Sequence, residues 1–186
     1  MPPEPSTIDQ FVEHASPEAF AKVIDQLLES PHFGERWGRH WLDVARYGES
    51  TGHERNFLYP HAWRYRDYVI NAFKNDKPYD QFVTEQIAGD LLPAETPTKR
   101  DEQLVATGFL ALGSRNLLGG NNSFVFDTID DQINITSQAF LGMTVSCARC
   151  HDHKFDPVST EEYYSLAGIF LSNRSRVWNW WCVRIG

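Results

Sequence analysis

The sequence lacks the features that mark several classes of protein. No apolar run approaches the roughly 20 residues that a membrane-spanning helix needs. The first residues, Met1 to Pro5, are acidic and Pro-rich and show neither the basic segment nor the apolar core of a signal peptide. Basic residues are scarce, 17 against 25 acidic ones, which gives a net charge of −8. This charge argues against a nucleic-acid partner, because a polyanion would be repelled.

Sustained alternation of apolar and polar residues is also missing, so no β-strand is predicted. Apolar residues instead recur at helical spacing, and helix starts are signalled by Ser16-Pro17, by Ser30-Pro31 and by a capping box formed by Ser159 and Glu162. With 186 residues, 41% of them hydrophobic, the chain can bury one core. We therefore predict an all-α fold, a single irregular multi-helix domain with long loops, over residues 1–175, and an atypical tail over residues 176–186.

The helix that follows Pro31 has two stripes of interest. The first is apolar and is predicted to be buried: Trp37, Trp41, Val44 and Ala45. Farther along the chain, residues 48–59 are predicted to be an irregular, functional loop, residues 94–100 a linker, and residues 127–141 a long helix.

Cysteine is rare, and its placement is informative. Two of the three cysteines, Cys147 and Cys150, are separated by two residues, and His151 follows directly. This is the spacing at which two thiols attach haem c and the adjacent histidine ligates its iron. Composition alone predicts only about 0.002 such matches in this chain. Since haem c is normally attached outside the cytoplasm, the motif predicts a periplasmic or otherwise exported protein, of which this chain is a part.

Three other interpretations of the two thiols stay open. A zinc site could use Cys147, Cys150, His151 or His153, because tetrahedral zinc accepts sulfur and imidazole nitrogen. A thioredoxin-like redox pair is a second interpretation, although no βαβ pattern surrounds the motif. Two buried structural cysteines are the third.

If haem binds, its second axial ligand must come from elsewhere in the chain. Candidates are His40, His53 and His61, whereas Met143 lies too near the motif along the sequence. His153 lies two residues after His151 and either forms a local hydrogen bond or binds a separate metal.

The second stripe of the helix after Pro31 is polar, and the loop that follows it carries further charges. The stripe consists of Arg36, His40, Asp43 and Tyr47; the loop adds His53 and Glu54, and the next helix adds Arg64, Arg66 and Asp67. One interpretation is an acid–base pocket in which His40 and Asp43 transfer protons. The other is an ion-pair network that holds helices together, or a solvated face.

Four sequence blocks resemble a known family. They are residues 30–47 (SPHFGERWGRHWLDVARY), 62–70 (AWRYRDYVI), 77–92 (KPYDQFV to QIAGDLL) and 147–157 (CARCHDHKFDP). Over about residues 8–171 the chain resembles the planctomycete cytochrome c-like domain family, the middle module of PSCyt-type exported proteins. The resemblance implies a helical domain of uncharacterised biochemistry, which a small cytochrome c-like module precedes and another domain of unknown function follows. It implies no catalytic residues.

Three hypotheses on function follow. The first is a haem c module for electron transfer or redox sensing, with Cys147, Cys150 and His151 as its site, and neighbouring domains and a redox partner as its contacts. The second is a zinc-dependent hydrolase module acting on extracellular polymer, with His151 and His153 joined by His40, Asp43, His53 or Glu54. The third is a structural module without catalysis.

Overall fold

The computed structural model describes residues 2–52, 56–114 and 121–172. In these ranges the α-helices are α1 (Pro5–Glu13), α2 (Pro17–Glu29), α3 (Pro31–Val44), α4 (Ala62–Lys74), α5 (Tyr79–Ala88), α6 (Pro97–Ala106), α7 (Gly108–Ala111), α8 (Asn121–Leu141) and α9 (Thr160–Ser172). Short 3₁₀ turns occur at Gly89–Leu91 and Val145–Arg149. The described ranges hold no β-strand, only an isolated antiparallel bridge between Ser50 and Leu58. The predicted all-α class is confirmed.

Helix starts follow the local chemistry of capping. Ser16 Oγ accepts a hydrogen bond from Ala19 N at 3.1 Å, and Ser30 Oγ accepts one from His32 N at 3.3 Å. Both caps were predicted. The predicted linker over residues 94–100 is wrong in its second half, because Thr96 Oγ1 accepts from Lys99 N and α6 begins at Pro97. Helix α1, which was not predicted, begins at Pro5.

The core consists of two clusters of buried side chains. The first lies among α3 to α7 and includes Tyr65, Phe82 and Phe109. The second joins α8 and α9 to the 3₁₀ turn Val145–Arg149. Phe170 packs against both clusters, so the turn that carries Cys147 is tied to the rest of the fold.

The predicted buried stripe of α3 is half right: Ala45 is buried and Trp41 packs against the first core cluster, but the other two residues are not buried. Trp37 is 50% exposed and Val44 is 46% exposed, whereas Gly34 and Gly38 are buried. A Cβ atom on Gly34 would lie 2.6 Å from the carbonyl oxygen of Ile70, a residue of α4. At this point the two helices therefore meet backbone to backbone, and glycine rather than Trp37 occupies the contact. Among the described helices, none combines the length and the apolar character that a membrane span requires.

We expect Gly34→Ala to lower the free energy of unfolding by about 2 kcal/mol, because the added methyl group must push the backbone of α4 away. Urea unfolding measures this loss. Gly168→Ala in α9 is the matched control, since a Cβ there meets no atom within 4 Å. It should raise the free energy of unfolding by up to about 1 kcal/mol through helix propensity. Equal effects of the two substitutions would contradict the proposed contact.

Candidate functional site

The 3₁₀ turn Val145–Arg149 fixes the direction of the two thiols. Three residues complete one turn of this helix type, so side chains three apart share a face. Val145 and Ala148 are buried, with exposed fractions of 3% and 0%, while Cys147 and Cys150 are both exposed and free. One thiol on this turn and one directly after it are therefore open to solvent, while the buried side of the turn is apolar. The interpretation of two buried structural cysteines is wrong.

Helices α8 and α9 hold this turn in place. Val145 and Ala148 pack in the second core cluster with Tyr163 of α9. Tyr164 Oη donates a hydrogen bond to the backbone oxygen of Arg149 at 3.2 Å. The Arg149 guanidinium in turn lies 3.6 Å from carboxylate oxygens of two α8 residues, Asp127 and Asp130. The exposed thiols therefore lie at a turn that packing, a hydrogen bond and ion pairs hold in place, rather than on a free loop.

One ring nitrogen of His151 forms a hydrogen bond, and the other has no hydrogen-bond partner among the described residues. Its Nδ1 lies 2.7 Å from the backbone oxygen of Asp152, and the residue is exposed. Since a carbonyl oxygen can only accept, Nδ1 carries the proton and Nε2 carries the lone pair. Histidines that ligate metals commonly use this arrangement, with one nitrogen donating to a carbonyl and the other facing the metal.

His153 has the opposite arrangement. Its side chain is only 6% exposed, and its Nδ1 accepts from the backbone N–H groups of Phe155 and Asp156 at 3.2 and 2.8 Å. Its Nε2 lies 3.3 Å from Thr144 Oγ1, to which it donates. Because Nδ1 is an acceptor here, the nearby Asp156 carboxylate, at 3.5 Å, is not a partner in an ion pair. Metal ligation by His153 would require one of these bonds to break.

We expect His153→Ala to lower the free energy of unfolding by about 1 to 2 kcal/mol, since two backbone donors lose their acceptor. Hydrogen exchange at the amides of Phe155 and Asp156 should accelerate with it. His153→Asn offers a matched comparison, because an amide oxygen can replace Nδ1 as the acceptor and should restore part of the protection. Unchanged exchange in the alanine variant would rule out the structural role.

Hydrogen bonds connect the segment after the cysteine motif to the start of α9 and form the N-terminal cap of that helix. Asp152 Oδ1 accepts from Thr160 N at 2.9 Å. The predicted capping box is confirmed: Glu162 Oε2 accepts from Ser159 N at 2.7 Å, and Glu162 N donates to Ser159 Oγ at 3.2 Å. The bond from Ser159 N–H, followed by one from the Ser159 hydroxyl, lowers the pKa of the Glu162 carboxyl. Asp152 was not singled out in the sequence, although its place beside His151 and eight residues before the cap was visible.

The more distant candidates are not gathered around the thiols. His40 is exposed and its ring lies 5.6 Å from that of Trp37, and Asp43 is exposed as well. Neither side chain has a hydrogen bond or ion pair among the described residues, and His61 makes no side-chain cap for α4. His53 and Glu54 lie outside the described residues. The acid–base pocket of His40 and Asp43 is therefore not assembled in the part of the chain that the structure describes.

The ion-pair interpretation holds for other members of the polar set. Tyr47 Oη donates to Glu49 Oε1 at 2.9 Å, and Arg66 pairs with the carboxylates of Glu49 and Asp67 at 3.3 and 3.1 Å. Burial, followed by the hydrogen bond to Glu49, raises the pKa of the Tyr47 hydroxyl. This cluster links the loop after α3 to α4 and leaves His40 and Asp43 out.

Within residues 2–52, 56–114 and 121–172, no group of three or more His, Cys, Asp or Glu side chains is arranged to hold one metal ion. The motif residues Cys147, Cys150 and His151 are included in that statement. Their side chains are exposed and do not form a closed set of ligands.

Comparison with known proteins gives a family without an established function. A family model, PSCyt2, described as a protein of unknown function (DUF1549), matches residues 1–175. The chain therefore belongs to this family. No curated protein and no solved structure matches it.

Proposed function

We propose that this PSCyt2-family chain is a cytochrome-like module that attaches haem c through residues 147–151 and serves electron transfer or redox sensing in a larger exported protein. Cys147 and Cys150 would hold the porphyrin by thioether bonds, and His151 Nε2 would ligate the iron. When bound, haem supplies one-electron redox chemistry. The observation that carries the proposal is the pair of exposed thiols at the 3₁₀ turn Val145–Arg149, next to a histidine whose Nε2 is open.

The donor arrangement fits haem better than zinc. A structural zinc ion draws its ligands to within about 2.0 to 2.3 Å of one point. The described residues hold no such group. Haem attachment does not require the three side chains to converge on one metal ion, because the two sulfurs bond to the edge of the macrocycle and only the imidazole reaches the iron. Exposed thiols also remain accessible to the machinery that forms the thioether bonds.

Apolar side chains flank the motif and are open to solvent. Leu141 is 66% exposed, Tyr164 is 57% exposed and Phe155 is 83% exposed. Such side chains are unfavourable in water and are suited to contact with a flat, largely apolar ring. Tyr164 is already held against Arg149 by its hydroxyl, so its ring is positioned beside the turn.

The test is production of the chain, with an export signal, in a host that has the haem c maturation machinery. Purified protein should retain a peroxidase-active band after denaturing electrophoresis and should yield about one haem per chain as its pyridine haemochrome. A co-expressed cytochrome c serves as the maturation control. Colourless protein from cells in which that control is coloured would refute the proposal. Metal analysis of the same preparation tests the zinc-hydrolase alternative, which requires stoichiometric zinc.

A further inference from the structure

A cavity lies where α3, the end of α4 and the start of α5 meet, and none of its lining residues belongs to the cysteine motif. Its volume is about 280 Å³, at the small end of the range for ligand pockets. Five aromatic rings line it: Phe33, Trp41, Phe73, Tyr79 and Phe82. We refer to it as the aromatic cavity.

The rings of the aromatic cavity are held in place by their neighbours. The Trp41 indole N–H donates to Gln86 Oε1 at 2.9 Å and to Tyr65 Oη at 3.1 Å, which anchors one wall. Phe73 and Phe82 meet edge to face, with ring centroids 5.9 Å apart. Aromatic faces carry partial negative charge, so a preorganised group of rings attracts cations.

Two ionisable residues, Asp76 and Lys77, also line the cavity, and they differ in how far their charges are compensated. The Lys77 ammonium pairs with Glu85 and Glu102 and lies 4.6 Å from the centre of the Tyr68 ring. The Asp76 carboxylate is exposed and forms no hydrogen bond or ion pair with any described residue. Lys74, two residues earlier, does not pair with it either.

We propose that the aromatic cavity binds a small organic cation, an ammonium group attached to an apolar body. The apolar body would contact the rings, and the ammonium would lie near Asp76, the uncompensated charge of the lining. A carboxylate ligand is disfavoured, because it would meet Asp76 and would have to displace Glu85 or Glu102 from Lys77.

The test compares three probes of similar size on the full chain by titration calorimetry: benzyltrimethylammonium, benzyl alcohol and phenylacetate. The cation should bind most tightly and phenylacetate least. Asp76→Asn should weaken cation binding about three- to five-fold while leaving benzyl alcohol unchanged. Residue 76 has a φ of 48°, a left-handed conformation that asparagine also tolerates, so this variant should keep the local backbone.

Asp80→Asn is the matched control, since Asp80 is exposed on α5 and does not line the cavity. It should not alter the affinity. Tyr79→Ala, which removes an exposed ring of the lining, should weaken both the cation and benzyl alcohol. Failure of all three probes to bind, equal binding of phenylacetate and the cation, or an unchanged affinity in Asp76→Asn would each overturn the proposal. None of these outcomes depends on whether Cys147 and Cys150 hold haem.

Discussion

Glu85→Gln is expected to lower the free energy of unfolding by about 3 kcal/mol, because two lysines would lose a buried counter-charge. The Glu85 side chain is fully buried. Its carboxylate pairs with Lys77 and, at 2.6 Å, with Lys99. Tyr68 Oη and Gln81 Nε2 donate the remaining hydrogen bonds at 2.9 and 2.8 Å. The network joins α4, α5 and α6, so its loss should lower the free energy of global unfolding measured in urea.

Glu102→Gln is the control for this substitution. Glu102 contacts the same two lysines, but its side chain is 39% exposed, and pairs of that kind contribute at most about 1 kcal/mol. A loss of less than 1 kcal/mol in Glu85→Gln, or equal losses in the two variants, would show that burial of the charge is not what matters.

The same network predicts a dependence of stability on pH. Burial raises the pKa of Glu85, but the hydrogen bonds from Lys77, Lys99, Gln81 and Tyr68 outweigh it and lower that pKa to about 2. Because the folded pKa lies below the unfolded value of about 4.3, the contribution to stability is complete above that value. It is lost as the pH falls toward 2. The difference in unfolding free energy between the native chain and Glu85→Gln should therefore shrink over this range, whereas a constant difference would contradict the ion-pair account.

Helix starts were predictable because their signals are local. Ser30-Pro31 and the Ser159–Glu162 box each place a side-chain acceptor within three residues of the N–H that needs it. No tertiary contact has to be known to identify them. At the start of α6, by contrast, two local signals conflict: Thr96-Pro97 is a capping signal, whereas the Pro/Thr composition of residues 94–100 indicates a linker, and the cap prevails.

Burial was less predictable than helix content, because it depends on which helix packs against which. Periodicity alone predicts a buried stripe of Trp37, Trp41, Val44 and Ala45. The fold buries Ala45 and packs Trp41 against the core, but it leaves Trp37 and Val44 half exposed and places two glycines, Gly34 and Gly38, against α4. Likewise, α2 follows the predicted Ser16-Pro17 signal and carries apolar residues at helical spacing, yet none of its residues is buried in the described chain. The buried charge of Glu85 had no sequence signature, since its partners lie 8 and 14 residues away.

The candidate site also has features that the sequence predicts and features that only the fold shows. Spacing alone predicts Cys147, Cys150 and His151 as candidates for haem attachment, because thioether attachment and iron ligation depend on sequence separation. Whether the thiols face the core or the solvent depends on the 3₁₀ turn and on the burial of Val145 and Ala148, which only the fold reveals. The roles of the two neighbouring histidines also follow from hydrogen-bond direction: the Nδ1 of His151 donates, and the Nδ1 of His153 accepts.

Replacing both Cys147 and Cys150 with serine is expected to abolish covalently held haem, and each single replacement should reduce it. Both thiols are exposed, so serine in their place should change the free energy of unfolding by no more than about 0.5 kcal/mol. The haem remaining after denaturing electrophoresis, normalised to protein, should fall at least about tenfold in the double variant, because no thioether bond can form. Circular dichroism of the same samples verifies that the helices are intact.

Two further variants make this result specific to the proposed geometry. Cys182→Ser removes the third thiol, outside the motif, and should leave the haem content unchanged. His151→Ala keeps both thiols but removes the nitrogen that would ligate iron, so it should retain covalent haem with an altered absorption spectrum. If the double cysteine variant keeps its pigment, the attachment site lies elsewhere. If His151→Ala has the spectrum of the native chain, the open Nε2 is not the iron ligand, and the argument from its hydrogen bond to Asp152 fails with it.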